Sequence, residues 1–257
     1  MTISQRRSPD GRRRIQFLDE LRGLAVVCMI VYHGFFTFST MLHWEWATSL
    51  FQFFTPLEPV FAALFLVLSG IAANLTRSNL KRGLKLSVVA LVVSGVTIMV
   101  TPDQPIYFGI LHLLSVAMLL TQPLLPLFDR IPVWTGVAVC AVIVALTWNV
   151  WAGYLGLFTV PLVMLPRFLY QTDWLCWLGV YSGNFYSADY FPLFPWLFVY
   201  FGGVFFGRFA KKGRFPEWTY RRHVPFLAFL GRHALVLYLV HQPVFYGISL
   251  LFTLFGG

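Results

Sequence analysis

The sequence predicts an all-α, polytopic transmembrane helix bundle. The 257-residue chain is 58% hydrophobic and only 11% charged, and its mean hydropathy is +0.71. A soluble domain is nearer half apolar, with about a quarter of its residues charged. The apolar residues fall into runs close to the ~20 residues that a helix needs to cross a bilayer. The basic residues sit only between certain of those runs, as expected when Lys and Arg mark the cytoplasmic connections.

The first 14 residues are polar and carry Arg6, Arg7, Arg12, Arg13 and Arg14. They read as a cytoplasmic basic tail, residues 1–14, ahead of a single transmembrane domain over 15–257. The apolar run that follows is long enough to stay in the membrane, so no cleavable signal is expected. Seven spans follow, at 18–38, 56–75, 84–101, 107–126, 133–151, 193–209 and 228–252. Basic blocks lie at Arg6 to Arg14, at Arg77, Lys81, Arg82 and Lys85, at Arg130, and from Arg208 to Arg222. The connections at 39–55, 101–106, 148–154 and 184–192 hold no Lys or Arg. The N-terminus is therefore placed in the cytoplasm of a multi-pass protein of the plasma (inner) membrane.

Residues 152–192 are harder to read. Both ends must lie outside, and "GYLGLFTVPLVMLP" is apolar but short. Two short extra crossings, giving up to nine spans, and a re-entrant hairpin buried in protein are both expected solutions. The net charge of +9 follows topology rather than a basic face, which argues against nucleic acid. Cys28, Cys140 and Cys176 lie in apolar runs without metal spacing and read as free, packed thiols.

The chemistry is expected where polar residues enter the apolar runs. Arg22 and His33 are eleven residues apart, about 20° past three helical turns and about 16 Å along the axis. They share one helix face, and Asp19 lies one turn from Arg22, where it can pair with it. His112 lies a few residues into a span entered from outside and His241 late in one entered from inside, which places both in the outer half of the bilayer with His33. Tyr238 is one turn from His241. Ionisable residues inside a membrane face the protein interior and mark function by default. No two histidines are spaced at i, i+3 or i+4, so no metal is expected. A proton-coupled transporter favours a carboxylate in mid-membrane and internal repeats, and neither is present. A neutral imidazole that takes a proton from a hydroxyl or amine fits better.

Five segments resemble a known family: "FLDELRGLAVVCMIVYHG" (17–34), "FLVLSGIAANLT" (65–76), "FGILHLLSVAMLL" (108–120), "SADYFPLFPWLFVYFGGVFFG" (187–207) and "LGRHALVLYLVHQPV" (230–244). The first is similar to the Arg-x10-His helix of acyltransferase family 3-like membrane acyltransferases. Together they resemble the bacterial relatives of the heparan-α-glucosaminide N-acetyltransferase catalytic domain. The resemblance implies an acetyltransferase that uses acetyl-CoA from the cytosol and acts on a sugar hydroxyl or amine across the bilayer. It also implies a competitor for His33, because the family's essential histidine lies just after the first helix, where this chain has His43.

On that reading the catalytic candidates are His33, His43, His112, Asp189 and His241. Candidates for acyl-CoA are Asp19, Arg22, Arg77, Lys81, Arg82, Lys85, Arg208 and Lys211, since guanidinium groups suit phosphates. Candidates for the acceptor are Asp103, Tyr190, Trp196, Tyr238 and Gln242. Expected partners are membrane lipid, acyl-CoA and a glycan or other small acceptor, with oligomerisation left open. Direct transfer and an acetyl-histidine intermediate both remain open. So do a transporter or flippase for a glycan or lipid-linked substrate and a non-catalytic scaffold.

Overall fold

The computed structural model describes residues 13–255, so Arg6, Arg7 and Arg12 of the basic tail lie outside the described residues. The helices are α1 (Gln16–Leu42), α2 (Glu45–Phe54), α3 (Glu58–Ala73), α4 (Asn79–Val100), α5 (Ile110–Arg130), α6 (Val133–Thr147), α7 (Leu193–Lys211), α8 (Pro225–Arg232) and α9 (Ala234–Phe255). Seven helical stretches among the described residues are long and apolar enough to span a membrane. The protein is an all-α polytopic membrane protein. Two spans are built differently from their hydropathy. The second is α2 and α3 joined by a 3-10 turn at Thr55–Leu57, where Pro56 and Pro59 tighten the chain. The last is interrupted at His233, between α8 and α9.

The chain divides into two compact units. One comprises residues up to Leu68 together with Phe215 onward, and the other runs from Ser69 to Arg214. In the first, α1 packs on α8 and α9. Gly23 and Gly231 let the backbones of α1 and α8 touch: a Cβ on Gly23 would sit 2.0 Å from the Leu227 carbonyl oxygen, and one on Gly231 would sit 1.9 Å from that of Asp19. Glu20 closes the start of α8. Its carboxylate, only 4% exposed, accepts from the backbone N–H groups of His223 (2.7 Å) and Val224 (3.0 Å). Negative charge at a helix N-terminus is favourable. Further along α1, Phe245 of α9 lies against Gly34.

In the second unit, α4 pairs with α5 and α6 pairs with α7. Ser78 caps α4 by accepting from the Lys81 N–H at 3.2 Å. Tyr200, Val204 and Phe205 of α7 are buried, and Phe205 packs against Phe128 of α5.

Residues 153–192 hold neither of the expected crossings. They form a β-hairpin and 3-10 turns. Strand β1 (Tyr154–Leu157) pairs antiparallel with β2 (Val160–Met164), with a bulge between Leu155 and Gly156. Gly153, Gly156, Pro161 and Pro166 punctuate the apolar run too closely for a helix. A re-entrant hairpin buried in protein is also excluded, because every residue of β2 is exposed.

Candidate functional site

In the first unit, His33 of α1 and His241 of α9 face each other, with ring centroids 5.1 Å apart and planes tilted by 54°. His241 is only 7% exposed. Its Nδ1 lies 2.6 Å from the Tyr238 carbonyl oxygen. A carbonyl only accepts, so Nδ1 carries the proton and Nε2 keeps the lone pair. That Nε2 and Nδ1 of His33 are both buried without a hydrogen-bond partner among the described residues. Buried polar atoms are rarely left unsatisfied, and exceptions call for an explanation.

Aromatic rings enclose the pair. Tyr32 meets His33 edge-on at 5.5 Å, and Tyr238 lies 5.6 Å from His241. One turn beyond His33, the Thr37 hydroxyl donates to Oε1 of Gln242 at 3.1 Å, locking α1 to α9. Pro243 leaves the α9 ladder one N–H short beside this contact. His43 is not part of the group. It ends α1 in the left-handed conformation, exposed, about 15 Å along the axis from His33.

At the other end of α1, Asp19 is buried at 4% exposure. It accepts from Arg14 Nε at 2.6 Å and Arg22 Nη1 at 3.1 Å. Arg22 and His33 thus lie about three turns apart on one helix, with an ion cluster at the first and the imidazole pair at the second.

The second unit gathers a different set. His112 sits three residues into α5. Its Nδ1 accepts from the Gly109 N–H at 3.2 Å, so the proton belongs on Nε2, which lies 3.2 Å from the Ser94 hydroxyl oxygen. Ser94 in turn donates to the Ile106 carbonyl. Both ring nitrogens of His112 therefore hold the entry to α5. Asp189 serves the same helix end: Oδ2 accepts from the Ile110 N–H at 3.1 Å, and a Cβ on Gly109 would fall 2.2 Å from that oxygen. Asp103 is exposed in the turn before α5.

Tyr190 and Trp196 line one cavity of about 390 Å³ with Trp148, Val150, Trp151, Tyr181, Pro192, Phe194 and Pro195. The Tyr190 hydroxyl donates to the Cys176 carbonyl at 2.6 Å. Burial, reinforced by Tyr181, pushes its phenol above the ordinary tyrosine range, so it remains a donor.

The basic candidates separate by role. Arg77, Lys81, Arg82 and Lys85 are exposed around the start of α4, and Lys211 is exposed at the end of α7. Arg208 is committed elsewhere. Its guanidinium donates to the carbonyls of Phe128 (2.9 Å), Ile131 (2.5 Å) and Asp129 (3.0 Å) and lies 3.5 Å from the Asp129 carboxylate. It closes the C-terminus of α5. Among the described residues, no group of three His, Cys, Asp or Glu side chains is placed to hold a metal ion.

Sequence reasoning did not find Ser94, Thr37, Gly109, Trp148, Trp151 or Tyr181. For Gly109 a signal was present, a glycine three residues before a histidine at the start of an apolar run. The others depend on packing.

The profile of the family described as heparan-alpha-glucosaminide N-acetyltransferase, catalytic, matches residues 14–243. No curated protein and no solved structure matches the chain.

Proposed function

The chain belongs to the heparan-alpha-glucosaminide N-acetyltransferase catalytic family, and from that premise we propose that it carries acetyl from cytosolic acetyl-CoA to a hydroxyl or amine of an extracytoplasmic sugar or glycan. The observation that carries this reading is the His33–His241 pair, two enclosed imidazoles with unpartnered ring nitrogens on facing helices. Burying such groups without partners is unfavourable. A reaction that moves a proton at that place accounts for them.

His33 is the general base. It accepts the proton of the acceptor hydroxyl or amine as that oxygen or nitrogen attacks the thioester carbonyl. The carbon–sulfur bond breaks, and the CoA thiolate leaves with the proton returned by the imidazolium. His241, with Nδ1 fixed by Tyr238, offers only the lone pair of Nε2 and orients or relays for His33. An acetyl-histidine intermediate uses the same atoms in two steps. Gln242 and Tyr238 shape the acceptor side of the pair.

The exposed Arg77, Lys81, Arg82 and Lys85 supply a cationic surface at the N-terminus of α4, where the helix dipole also favours anions. They are the groups for the nucleotide phosphates, with Lys211 contributing. Asp189 and His112 act as positioning residues for the start of α5. The enzyme works in the inner membrane with its basic connections in the cytoplasm.

The test is CoA release from acetyl-CoA by detergent-purified protein supplied with a panel of amino and neutral sugars. Wild type releases CoA in an acceptor-dependent way, and His33→Ala does not, although it still binds acetyl-CoA. Acceptor-dependent release that survives His33→Ala overturns the assignment of the base. Absence of acetyl-CoA binding by wild type overturns the function.

A further inference from the structure

The 148–196 segment of the second unit combines two features. The first is the cavity at the start of α7. Every residue lining it is uncharged, and Trp148, Trp151, Tyr181, Tyr190 and Trp196 present flat aromatic rings. Its volume of about 390 Å³ lies in the range of small-molecule sites. Asp189, the acid next to Tyr190 in sequence, is turned to the N–H of Ile110. Arg208 and Lys211 are at the other end of α7, about 20 Å or more away along the axis. A neutral, flat-faced ligand suits such walls, and a pyranose ring has apolar C–H faces to lay on them.

The second feature is the hairpin, which grows out of the cavity wall. Val150 and Trp151 line the cavity, and β1 begins at Tyr154. The Leu165 N–H to Gly153 carbonyl bond, 2.9 Å, closes the hairpin base. The tip is tied back to the end of α6, since the Phe158 carbonyl accepts from the Asn149 amide and from the Tyr154 hydroxyl. From Gly153 to Pro166 there is no charged residue. Phe158 (76%), Leu162 (59%) and Met164 (70%) project outward. A two-stranded ribbon has unpaired backbone along both edges and cannot enter hydrocarbon. Exposed Trp151, Trp174 and Trp177 nearby mark the headgroup level. The hairpin therefore lies at the interface with its apolar side chains on the acyl boundary.

We propose that the second unit binds a membrane-anchored glycoside, with its neutral sugar in the aromatic cavity and its hydrocarbon tail along the exposed face of the 154–164 hairpin. This binding claim stands on the cavity and hairpin alone and goes beyond the acyltransferase reading above.

The experiment uses the full chain in phospholipid nanodiscs, prepared with a non-glycosidic detergent, and reads tryptophan fluorescence. The probes are decyl β-D-glucopyranoside, methyl β-D-glucopyranoside and decyltrimethylammonium. Decyl glucoside is expected to bind saturably and to be displaced by excess methyl glucoside. The triple change Phe158→Asn, Leu162→Gln, Met164→Gln is expected to weaken decyl glucoside at least tenfold in identical discs and to leave methyl glucoside unchanged. Trp151→Leu is expected to weaken both. The idea is overturned by equal decyl glucoside affinity in wild type and the hairpin variant, by failure of methyl glucoside to compete in wild type, or by preference for the ammonium probe. If the triple variant does not fold, competition in wild type decides. Acetyl-CoA binding is measured in parallel; its absence would remove the acyltransferase reading without touching the glycoside result.

Discussion

His241 keeps a buried, unpartnered Nε2 lone pair on the ring that faces His33, because the carbonyl of Tyr238 holds the proton on Nδ1. The tautomer is set by the helix that carries the residue. His241 can therefore accept a proton or a hydrogen bond at Nε2, and it cannot donate there without becoming cationic. His33→Gln and His241→Gln should each lower kcat at least ~100-fold, the usual scale for a lost acid–base group. His33→Gln should melt within a few degrees of wild type, since its Nδ1 makes no bond to lose, whereas His241→Gln also loses the Nδ1 contact with the Tyr238 carbonyl and should melt somewhat lower. Steady-state kinetics beside a thermal melt separate the two effects. Full activity in His241→Gln would reduce that residue to packing.

Asp189 and His112 should behave differently. Asp189→Ala removes a cap from α5 and should cost about 1 kcal/mol of stability. Asp189→Asn keeps an oxygen for the Ile110 N–H and should retain kcat within a few-fold. A direct catalytic carboxylate would lose activity in both variants, so the Asn substitution discriminates.

Basic residues at the membrane boundary should divide in the same way. Lys81→Ala with Lys85→Ala should raise KM for acetyl-CoA several-fold, more at low ionic strength than at high, because exposed charges are screened by salt. Their melting temperature should be unchanged. Arg208→Ala should instead lower the melting temperature, since three carbonyls at the end of α5 lose their donor. Its effect on KM should be small.

Gly23→Ala should destabilise by about 3 kcal/mol, at the upper end of overpacking effects. The added carbon meets the Leu227 carbonyl, and a backbone atom cannot swing aside as a flexible side chain does. Gly247→Ala in α9 meets nothing within 4 Å and is the control. Thermal melts of the two variants in one detergent make the comparison.

Much of the fold was legible because length and apolarity are what a bilayer selects. The same measure misled over residues 153–192. There the spacing of Gly153, Gly156, Pro161 and Pro166 was the better guide than mean hydropathy. For the site, sequence placed His33 and His241 late in their helices. It could not show that they meet, because that depends on how α1 and α9 are rotated, with Phe245 against Gly34. Asp19 and Arg22 were legible because their pairing is local to one turn. Arg208 was not, since its partners are about 80 residues away in sequence and are carbonyls without a residue code. For His112 the sequence supplied a position near the start of a span but not the partners of its ring. Its contacts with Gly109 and Ser94 depend on how the loop before α5 folds back.

The short helix α8 is gripped at both ends, by the Glu20 carboxylate at its first N–H groups and by Asp19 against Gly231 at its last turn. α9 begins two residues later and carries His241. The contacts that anchor α8 thus set where the helix carrying the imidazole begins. Whatever fixes the Arg221–Val224 stretch against Glu20 therefore also fixes the register at which α9 presents His241 to α1.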